Sequence, residues 1–560
     1  MKPLSEYPRP QLVRDSYICL NGEWDYAIRE KKELPTSFDG KILVPYSPET
    51  PLSGVNKLVR PKDWLFYRTK LHFPKNFIKD KVILHFGAVD QIAEVFYNGK
   101  LIQKHAGGFL PFEVDIRPYI EVGGDNELIV RVKDFTDTSF YSRGKQRMKR
   151  GGIWYSPQSG IYMPVWMESV TNDYVKSLKI TPDIDKSVVK IKVVSKCKTA
   201  SITLGKTKFS VECNKEVEIP VKELHLWTPE DPYLYPFSVK TGKDKVDSYF
   251  AMRKIATFKD NDGHVKITLN NQPYFMKGVL DQGYYKEGFL TPSSDEDYIK
   301  DIELVKSLGF NTARKHIKIE SLRWYYHCDR LGLLVWQDFV NGGSTYKFST
   351  IAFPLFTNLH RDDDDYARFA RKDKNGRDMA EEEFIETVNL LYNCPCIVLW
   401  TIFNEGWGQF DAKRIYEDMR KLDPTRLYDH ASGWHDQGVS DTKSLHVYFR
   451  RFKMPKPREI KGRAVILSEC GGYELRVRGH STTVPRSVSR TFISSAALER
   501  EYHKFINKDI LPNISRGLTA FIYTQLSDVE DESNGFITYD REIVKINAEK
   551  IKRDNDEVKY

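Results

Sequence analysis

Two all-β modules followed by an α/β barrel is the architecture that this 560-residue sequence predicts, on three observations. Near residue 257 the apolar pattern changes from short alternating runs to runs that alternate with helix-like stretches. Strand–helix alternation means a parallel sheet, and over this length a barrel. Two later runs, IVLWTIF (397–403) and AVIL (464–467), are apolar almost throughout, as in strands buried on both faces. Each stops at a glutamate: Asn404-Glu405 before Gly406, and Ser468-Glu469 shortly before Gly471-Gly472. The active site of an α/β barrel lies where its strands end.

Taken in order, residues 1–170 read as a jelly-roll-like β-sandwich. The runs LFYRTKLHF (65–73), KVILHFGAV (81–89), AEVFYNGKLI (93–102) and NELIVRVKD (126–134) alternate or are densely apolar, and Asn98-Gly99 marks a tight hairpin. Trp24, Trp64, Phe109, Trp154 and Tyr155 offer faces for stacking on sugars, although most aromatics in such a module are core. Residues 171–256, with VVKIKVVSK (188–196) and SITLGKTKFSVE (201–212), have the size of an immunoglobulin-like β-sandwich, closed by LWTPEDPYLYPFSVK (226–240).

Residues 257–560 supply the (β/α)8 barrel. Its expected strands are PYFMKGVLD (273–281), TARKHI (312–317), LLVWQDF (333–339), IVLWTIF, one around Leu427–His430, LHVYF (445–449), AVILSE (464–469) and AFIYTQLSD (520–528). The direction of the last is the least constrained. Serines open a helix over 293–310 that ends at Gly309, and a second helix spans 321–332.

Composition narrows the function classes. A net charge of +9 from 86 basic and 77 acidic residues is a mild excess, without the clustered basic face of a nucleic-acid binder. Arg143, Lys145, Arg147, Lys149 and Arg150 form the one dense basic cluster; it reads as an exposed loop, with contact to an anionic or polyhydroxyl ligand as the alternative. The N-terminus MKPLSEYPRPQLVRDSY has no apolar core of an export signal, and no apolar run approaches the length of a membrane span. A cytoplasmic, membrane-free protein is therefore expected. Seven cysteines (19, 197, 213, 328, 394, 396 and 470) are odd in number and scattered, so reduced thiols are expected, with Cys394-Pro-Cys396 structural. Four aspartates at 362–365 could gather a cation, but consecutive residues rarely converge on one ion, and a charged surface loop is the better reading.

The chemistry rests on the two glutamates. Trp400, Phe403 and Trp407 surround Glu405 with apolar surface, which disfavours its charge and suits it to donate a proton. Glu469 follows 64 residues later, room for about one or two strand–helix units, so both carboxylates face one end of the barrel. Two carboxylates on a shared rim are the apparatus of glycoside hydrolysis. His446 and Tyr448, on the intervening strand, are placed to orient Glu469. Other strand ends add Asp281, Arg314, His316, Asp338, Tyr523 and Asp528 as sugar-binding candidates, with Trp407 beside the acid.

Several strings carry a family resemblance. FNEGWGQ (403–409) and SECGGY (468–473), with GVLDQGYY (278–285), FNTARKHIK (310–318), LGLLVWQD (331–338) and YTQLSDVEDESNGFITYD (523–540), resemble glycoside hydrolase family 2. GKQRMKRGGIWYSPQSGIYMPVWME (144–168) is similar to the end of that family's sugar-binding domain, and the likeness runs from roughly Leu20 to Arg541. It implies a retaining mechanism with Glu405 as acid/base, Glu469 as nucleophile and Asn404 on the sugar 2-hydroxyl. The chain departs from the family at Asp281-Gln282, where the first strand often carries Arg-His. DESNGFITYD also lacks the lysine of the Asn-x-Lys that glucuronidases use to hold a carboxylate, which places neutral sugars ahead of glucuronides. The expected function is an exo-acting retaining β-glycosidase, β-galactosidase-like, acting on an oligosaccharide or glycoside. β-Glucuronidase, β-galacturonidase, β-mannosidase and arabinosidase are alternatives on the same scaffold, and a non-catalytic carbohydrate-binding protein is the alternative of another class. No cofactor is required and no metal ligand is assigned; a structural Ca²⁺ or Mg²⁺ is left open. Self-association into a homo-oligomer is what the resemblance implies.

Overall fold

A computed structural model of the chain describes residues 2–357, 359–481 and 490–560. Period-2 alternation builds the first module. Six antiparallel strands, in the order Gly40–Val44, Gly22–Arg29, Trp64–Lys70, Glu127–Lys133, Ile92–Tyr97 and Lys100–Ala106, form one sheet. Tyr17–Cys19, Val165–Val170, Lys81–Phe86 and Phe112–Asp115 form the other. Alternate residues such as Leu128, Val130 and Val132 meet Leu84, Phe86 and Met167 in the core. Asn98 and Gly99 both take positive φ (45° and 77°), the turn that matches the twist of a two-residue hairpin.

In the second module, Ser177–Asp183, Val188–Val194 and Glu216–Pro220 form one sheet. The other contains Thr207–Glu212, Thr199–Leu204, Tyr235–Thr241 and Asp244–Phe250. Val189, Ile191 and Val193 share its core with Ile202, Phe237 and Val239.

The barrel strands are β1 (Met276–Asp281), β2 (Thr312–Lys315), β3 (Leu334–Asp338), β4 (Ile397–Thr401), β5 (Leu427–Asp429), β6 (Thr442–Val447), β7 (Ala464–Gly471) and β8 (Leu518–Thr524). Parallel ladders run in the order β5-β4-β3-β2-β1-β8-β7-β6. The strand whose direction was least constrained, β8, is parallel to both neighbours. Side chains join β5 to β6: Tyr428 N donates to Asp441 Oδ2 at 2.9 Å and Ser444 Oγ to Asp429 Oδ1 at 3.0 Å. Inside, Leu280, Trp336, Leu399 and Ile466 meet Ile267 and Leu269, which belong to the small sheet of Ile255–Lys259, Val265–Leu269 and Gln272–Pro273. The apolar run of β4 outlasts the strand; Ile402 and Phe403 stay buried beyond it, with Phe403 edge-on to Phe384 and Phe410. A helix over Asp295–Ser307 starts where Ser294 N donates to the Asp297 side chain at 3.0 Å.

The basic cluster differs from the sequence reading. Its first half is not an exposed loop. Ser142 bridges to Gly342, and Arg143 N donates to Asn341 O at 3.0 Å. Arg143 is 1% exposed, donates to the Gly343 and Ser344 carbonyls and lies 4.7 Å over the Tyr346 ring. Carbonyls and a ring face compensate the lost hydration of the guanidinium. This clasp fastens the first module to the barrel mouth and carries Lys145 inward. Of the four aspartates, Asp363 turns in to accept from Gln409 Nε2 at 2.9 Å and Ala412 N at 3.0 Å, while Asp362, Asp364 and Asp365 are exposed. The cysteines are free thiols, with Cys394 and Cys396 buried.

Candidate active site

Glu405 sits just past β4 with φ of 51°, a left-handed conformation that costs a residue with a side chain roughly 1 kcal/mol or more. Two backbone bonds hold it: Glu405 N to Ser432 O at 2.9 Å and Trp407 N to Asn404 O at 2.8 Å. Gly406 continues at φ of 72°, where a Cβ would fall 2.8 Å from His435 Cδ2, so the turn excludes other residues. Glu469 lies within β7. An oxygen of Glu405 and an oxygen of Glu469 lie within 4.8 Å of each other.

Their surroundings push the two carboxyls apart. Burial opposes charge on Glu469, yet the neighbouring groups, led by His446 and Arg314 and joined by the Tyr448 hydroxyl, outweigh it and lower the group to about 2. Arg314 Nη1 donates to its Oε1 at 3.0 Å and Tyr448 Oη to its Oε2. For Glu405 burial is the largest influence and raises the group; the charge of Glu469 adds to this, and the hydrogen bond with His446 opposes it. One carboxylate is thus held ionised beside another biased toward its acid form, the division of labour that acid–nucleophile chemistry needs.

The remaining sequence candidates fall into three groups. His316, Trp407 and Tyr448 line the cavity with the two glutamates. His316 Nδ1 is 2.7 Å from Asp338 Oδ2, and burial lowers the imidazole to about 4, so the ring is neutral. Behind them, Arg314 is fully buried and binds Asp338 through Nε (2.9 Å) and Nη2 (3.0 Å) and Asn404 Oδ1 through Nη2 (2.9 Å). Arg314 links Asp338 to Glu469, and neither Arg314 nor Asp338 lines the cavity. Asn404 is anchored by that bond, and its Nδ2 is buried without a partner among the described residues, as a group reserved for a ligand would be. His446 was expected to orient the nucleophile. Its Nδ1 instead lies 2.8 Å from Glu405 Oε1, with Nε2 3.6 Å from Glu469 Oε1.

Three candidates lie outside the site. Asp281 faces away from the mouth, accepting from Lys315 Nζ at 2.7 Å and Gly283 N at 2.8 Å. Tyr523 stacks on Phe536 at 4.6 Å, between barrel and helices. Asp528 accepts from Lys545 Nζ at 2.6 Å and Gly535 N at 2.8 Å. Strand-end position selected these residues, but alternation turns Asp281 and Tyr523 out of the barrel, and Asp528 lies beyond β8, which ends at Thr524.

Several cavity-lining positions were not among the sequence candidates. The cavity, of about 300 Å³, is also lined by Lys145, Gln282, Trp434, Thr524, Glu532 and Asn534, of which all but Trp434 lie within the strings that carry the resemblance. Lys145 comes from the clasp, with Nζ 3.5 Å from Tyr155 Oη and 3.8 Å from Glu532 Oε2; Tyr155 Oη donates to that same carboxylate. Trp407 Nε1 and Trp434 Nε1 are further buried donors without a partner among the described residues. The outer wall is apolar, built from Ile153, Phe348, Ile351, Leu355, Phe356 and Phe449. A larger cleft of about 490 Å³ between the second module and the other end of the barrel lacks this pairing of carboxylates. Two groups among the described residues have donor atoms close enough to hold a cation: Glu405, His446 and Glu469, and the more exposed His480, Asp540 and Glu542. Among the described residues no helix is long and apolar enough to cross a membrane.

Three family models match the chain: "Glycosyl hydrolases family 2, TIM barrel domain" over residues 262–465, the sugar binding domain of the same family over 54–166, and "Glycosyl hydrolases family 2" over 163–253. A β-galactosidase of Thermoanaerobacter pseudethanolicus is 26% identical over 389 residues, 64% of this chain and 47% of that protein. The chain thus spans about half the length of this curated relative. A β-D-glucuronidase structure from Dictyoglomus thermophilum superposes with a TM-score of 0.76 at 19% identity, covering 99% of both chains. A β-galacturonidase from Eisenbergiella tayi, bound to galacturonate, superposes with a TM-score of 0.72 at 18% identity, again over 99% of both. These structures share the fold.

Proposed function

We propose that this chain, which belongs to glycoside hydrolase family 2, is an exo-acting retaining β-glycosidase. The observation that carries the reading is the approach of a Glu405 oxygen to within 4.8 Å of a Glu469 oxygen. Retaining enzymes hold their carboxyl groups about 5–5.5 Å apart, whereas inverting ones need about 6.5–9.5 Å to admit a water. Glu469, ionised, attacks the anomeric carbon while Glu405 protonates the departing oxygen. Water then enters, Glu405 takes its proton, and the glycosyl ester to Glu469 is released. Both roles are filled by side chains, so the reaction calls for no cofactor.

The cavity favours a neutral, galactoside-like glycone. Among the described residues Lys145 is the one lysine or arginine lining it, and it stands beside Glu532. A glycone carboxylate there would meet Glu532 and Glu469 together. The apolar outer wall favours an aryl or other apolar aglycone over a second sugar. A β-uronide is a second reading, favoured by the Lys145 ammonium, whose hydrogen bond among the described residues is the 3.5 Å contact to Tyr155.

The test is a panel of aryl β-glycosides (galactoside, glucuronide, galacturonide, mannoside, glucoside, arabinoside) with the anomeric configuration of the first product read by NMR. Release of a β-anomer from the galactoside supports the reading. Turnover confined to uronides, and lost in Lys145→Met, transfers it to the second. An α-anomer as first product removes the retaining mechanism. Binding without turnover across the panel and natural oligosaccharides would leave the carbohydrate-binding alternative.

A further inference from the structure

His446 stands on a chain of hydrogen bonds that sets which ring nitrogen carries hydrogen. Ser468 Oγ donates to Leu445 O at 3.5 Å, and Ser432 Oγ donates to Ser468 Oγ at 2.9 Å. A hydroxyl has one proton, so Ser432 meets His446 Nε2, 3.0 Å away, as an acceptor. Nε2 then carries hydrogen, and in a neutral imidazole Nδ1 is bare. Nδ1 lies 2.8 Å from Glu405 Oε1, an attractive contact when one proton lies between them and a repulsive one when both atoms present lone pairs.

We propose that His446 is the positioning residue of the acid/base: in the resting enzyme one proton is held between Glu405 Oε1 and His446 Nδ1, passes to the glycosidic oxygen, and is restored from water. The inference rests on the two-carboxylate reading above. In the first half-reaction the bond from Glu469 to the anomeric carbon forms as the bond to the aglycone oxygen breaks, and the shared proton goes to that oxygen. Glu405 is left ionised opposite a bare nitrogen, a contact relieved only when a proton returns. In the second half-reaction the water oxygen bonds to the anomeric carbon, the ester bond to Glu469 breaks, and the water proton goes to Glu405.

The groups facing the ring come from several elements. Glu469 on β7 is 3.6 Å from Nε2, and the Tyr448 ring is 6.3 Å away. Asp429 on β5 also acts on the imidazole. Arg314 on β2 and Lys145 from the clasp reach the pair through Glu469 and Glu405. None of these is changed in His446→Gln, which keeps polarity and size but has no second protonation state.

The test is the pH dependence of kcat/KM for wild type and His446→Gln on an aryl β-glycoside with a poor leaving group, with folding checked by thermal melting. We expect the alkaline limb to shift by about one pH unit and the acid limb to stay. A profile scaled down with both limbs in place overturns the proposal, since that is the signature of a purely structural loss. The second measurement is the ¹⁵N-edited histidine spectrum of wild type, which needs neither the variant nor a substrate. A bare Nδ1, or a doubly protonated ring beside ionised Glu405, supports the shared proton. A neutral ring with hydrogen on Nδ1 and none on Nε2 overturns it. Because the spectrum is read without turnover, failure of the glycosidase reading and failure of this one are separable.

Discussion

Arg314 and Lys315 are consecutive on β2, both fully buried and both ion-paired, and they serve opposite ends of the protein's physics. Arg314 faces the barrel interior and ties Asp338, Asn404 and Glu469 into one unit. Lys315 faces outward, where it binds Asp281 at 2.7 Å and Glu320 at 3.2 Å and stands 3.9 Å over the Trp324 ring. Lys318 completes that outer group with Glu320 at 2.6 Å, and burial lowers its ammonium to about 8. The inner network aims charge at a cavity; the outer one fastens β1 and β2 to the adjoining loops. Neither burial nor charge distinguishes them. The side-chain alternation of a strand does.

The largest effect is expected at Glu469, the proposed nucleophile. Glu469→Ala is expected to reduce turnover of an aryl β-glycoside by roughly four orders of magnitude or more, and near-full activity would end the assignment. Glu405→Ala is expected to cost about 10²–10⁴ on substrates with poor leaving groups and far less in the first step on dinitrophenyl glycosides, which depart without a proton. Equal losses on both would remove Glu405 as the acid.

Arg314→Met and Lys315→Met sharpen the contrast directly. Removing one partner of a buried ion pair leaves the other charge uncompensated and costs about 3–5 kcal/mol, so both variants should melt earlier. Only Arg314→Met should also lose activity in its folded fraction, by roughly 10²-fold. A Lys315→Met enzyme that stays folded but loses kcat would erase the distinction.

The pH profile follows from the two carboxyls. Glu469, lowered to about 2, is ionised throughout the usual working range and loses its charge only as the pH falls through that value. Glu405 is raised and must be protonated, so kcat/KM should decline as the pH rises through its value. An acid limb near pH 5 on a protein that remains folded would contradict the low value for Glu469. The smallest effect is expected at the outer wall. Phe449, about half exposed at 51%, contributes on the order of 1 kcal/mol of apolar contact. Phe449→Ala should therefore raise KM severalfold for aryl glycosides and leave methyl glycosides unchanged.

Much of the barrel was legible because buried parallel strands write themselves as continuous apolar runs. IVLWTIF and AVILSE located β4 and β7 and, with them, both glutamates. Tyr448 was found for the same reason. Asp281 and Tyr523 were misplaced because a strand end tells which rim a residue lies near, not which face its side chain takes, and Asp528 because β8 ends before it. Lys145 was visible as part of a charge cluster, but a cluster has the same composition whether it is solvated or folded inward. What turned it inward was the pairing of Arg143 with the Asn341–Ser344 loop, about 200 residues away.

By itself the sequence determined the two sandwiches, the eight-stranded barrel and the chemical identity of the paired carboxylates. These depend on local periodicity and on residue types at strand ends, both of which are written consecutively. Tertiary structure alone decided which member of each adjacent pair faces the cavity, that His446 belongs to Glu405, and that a loop of the first module completes the site. Those outcomes depend on strand facing and on contacts between segments hundreds of residues apart, and they exist only once the barrel has brought its rim together.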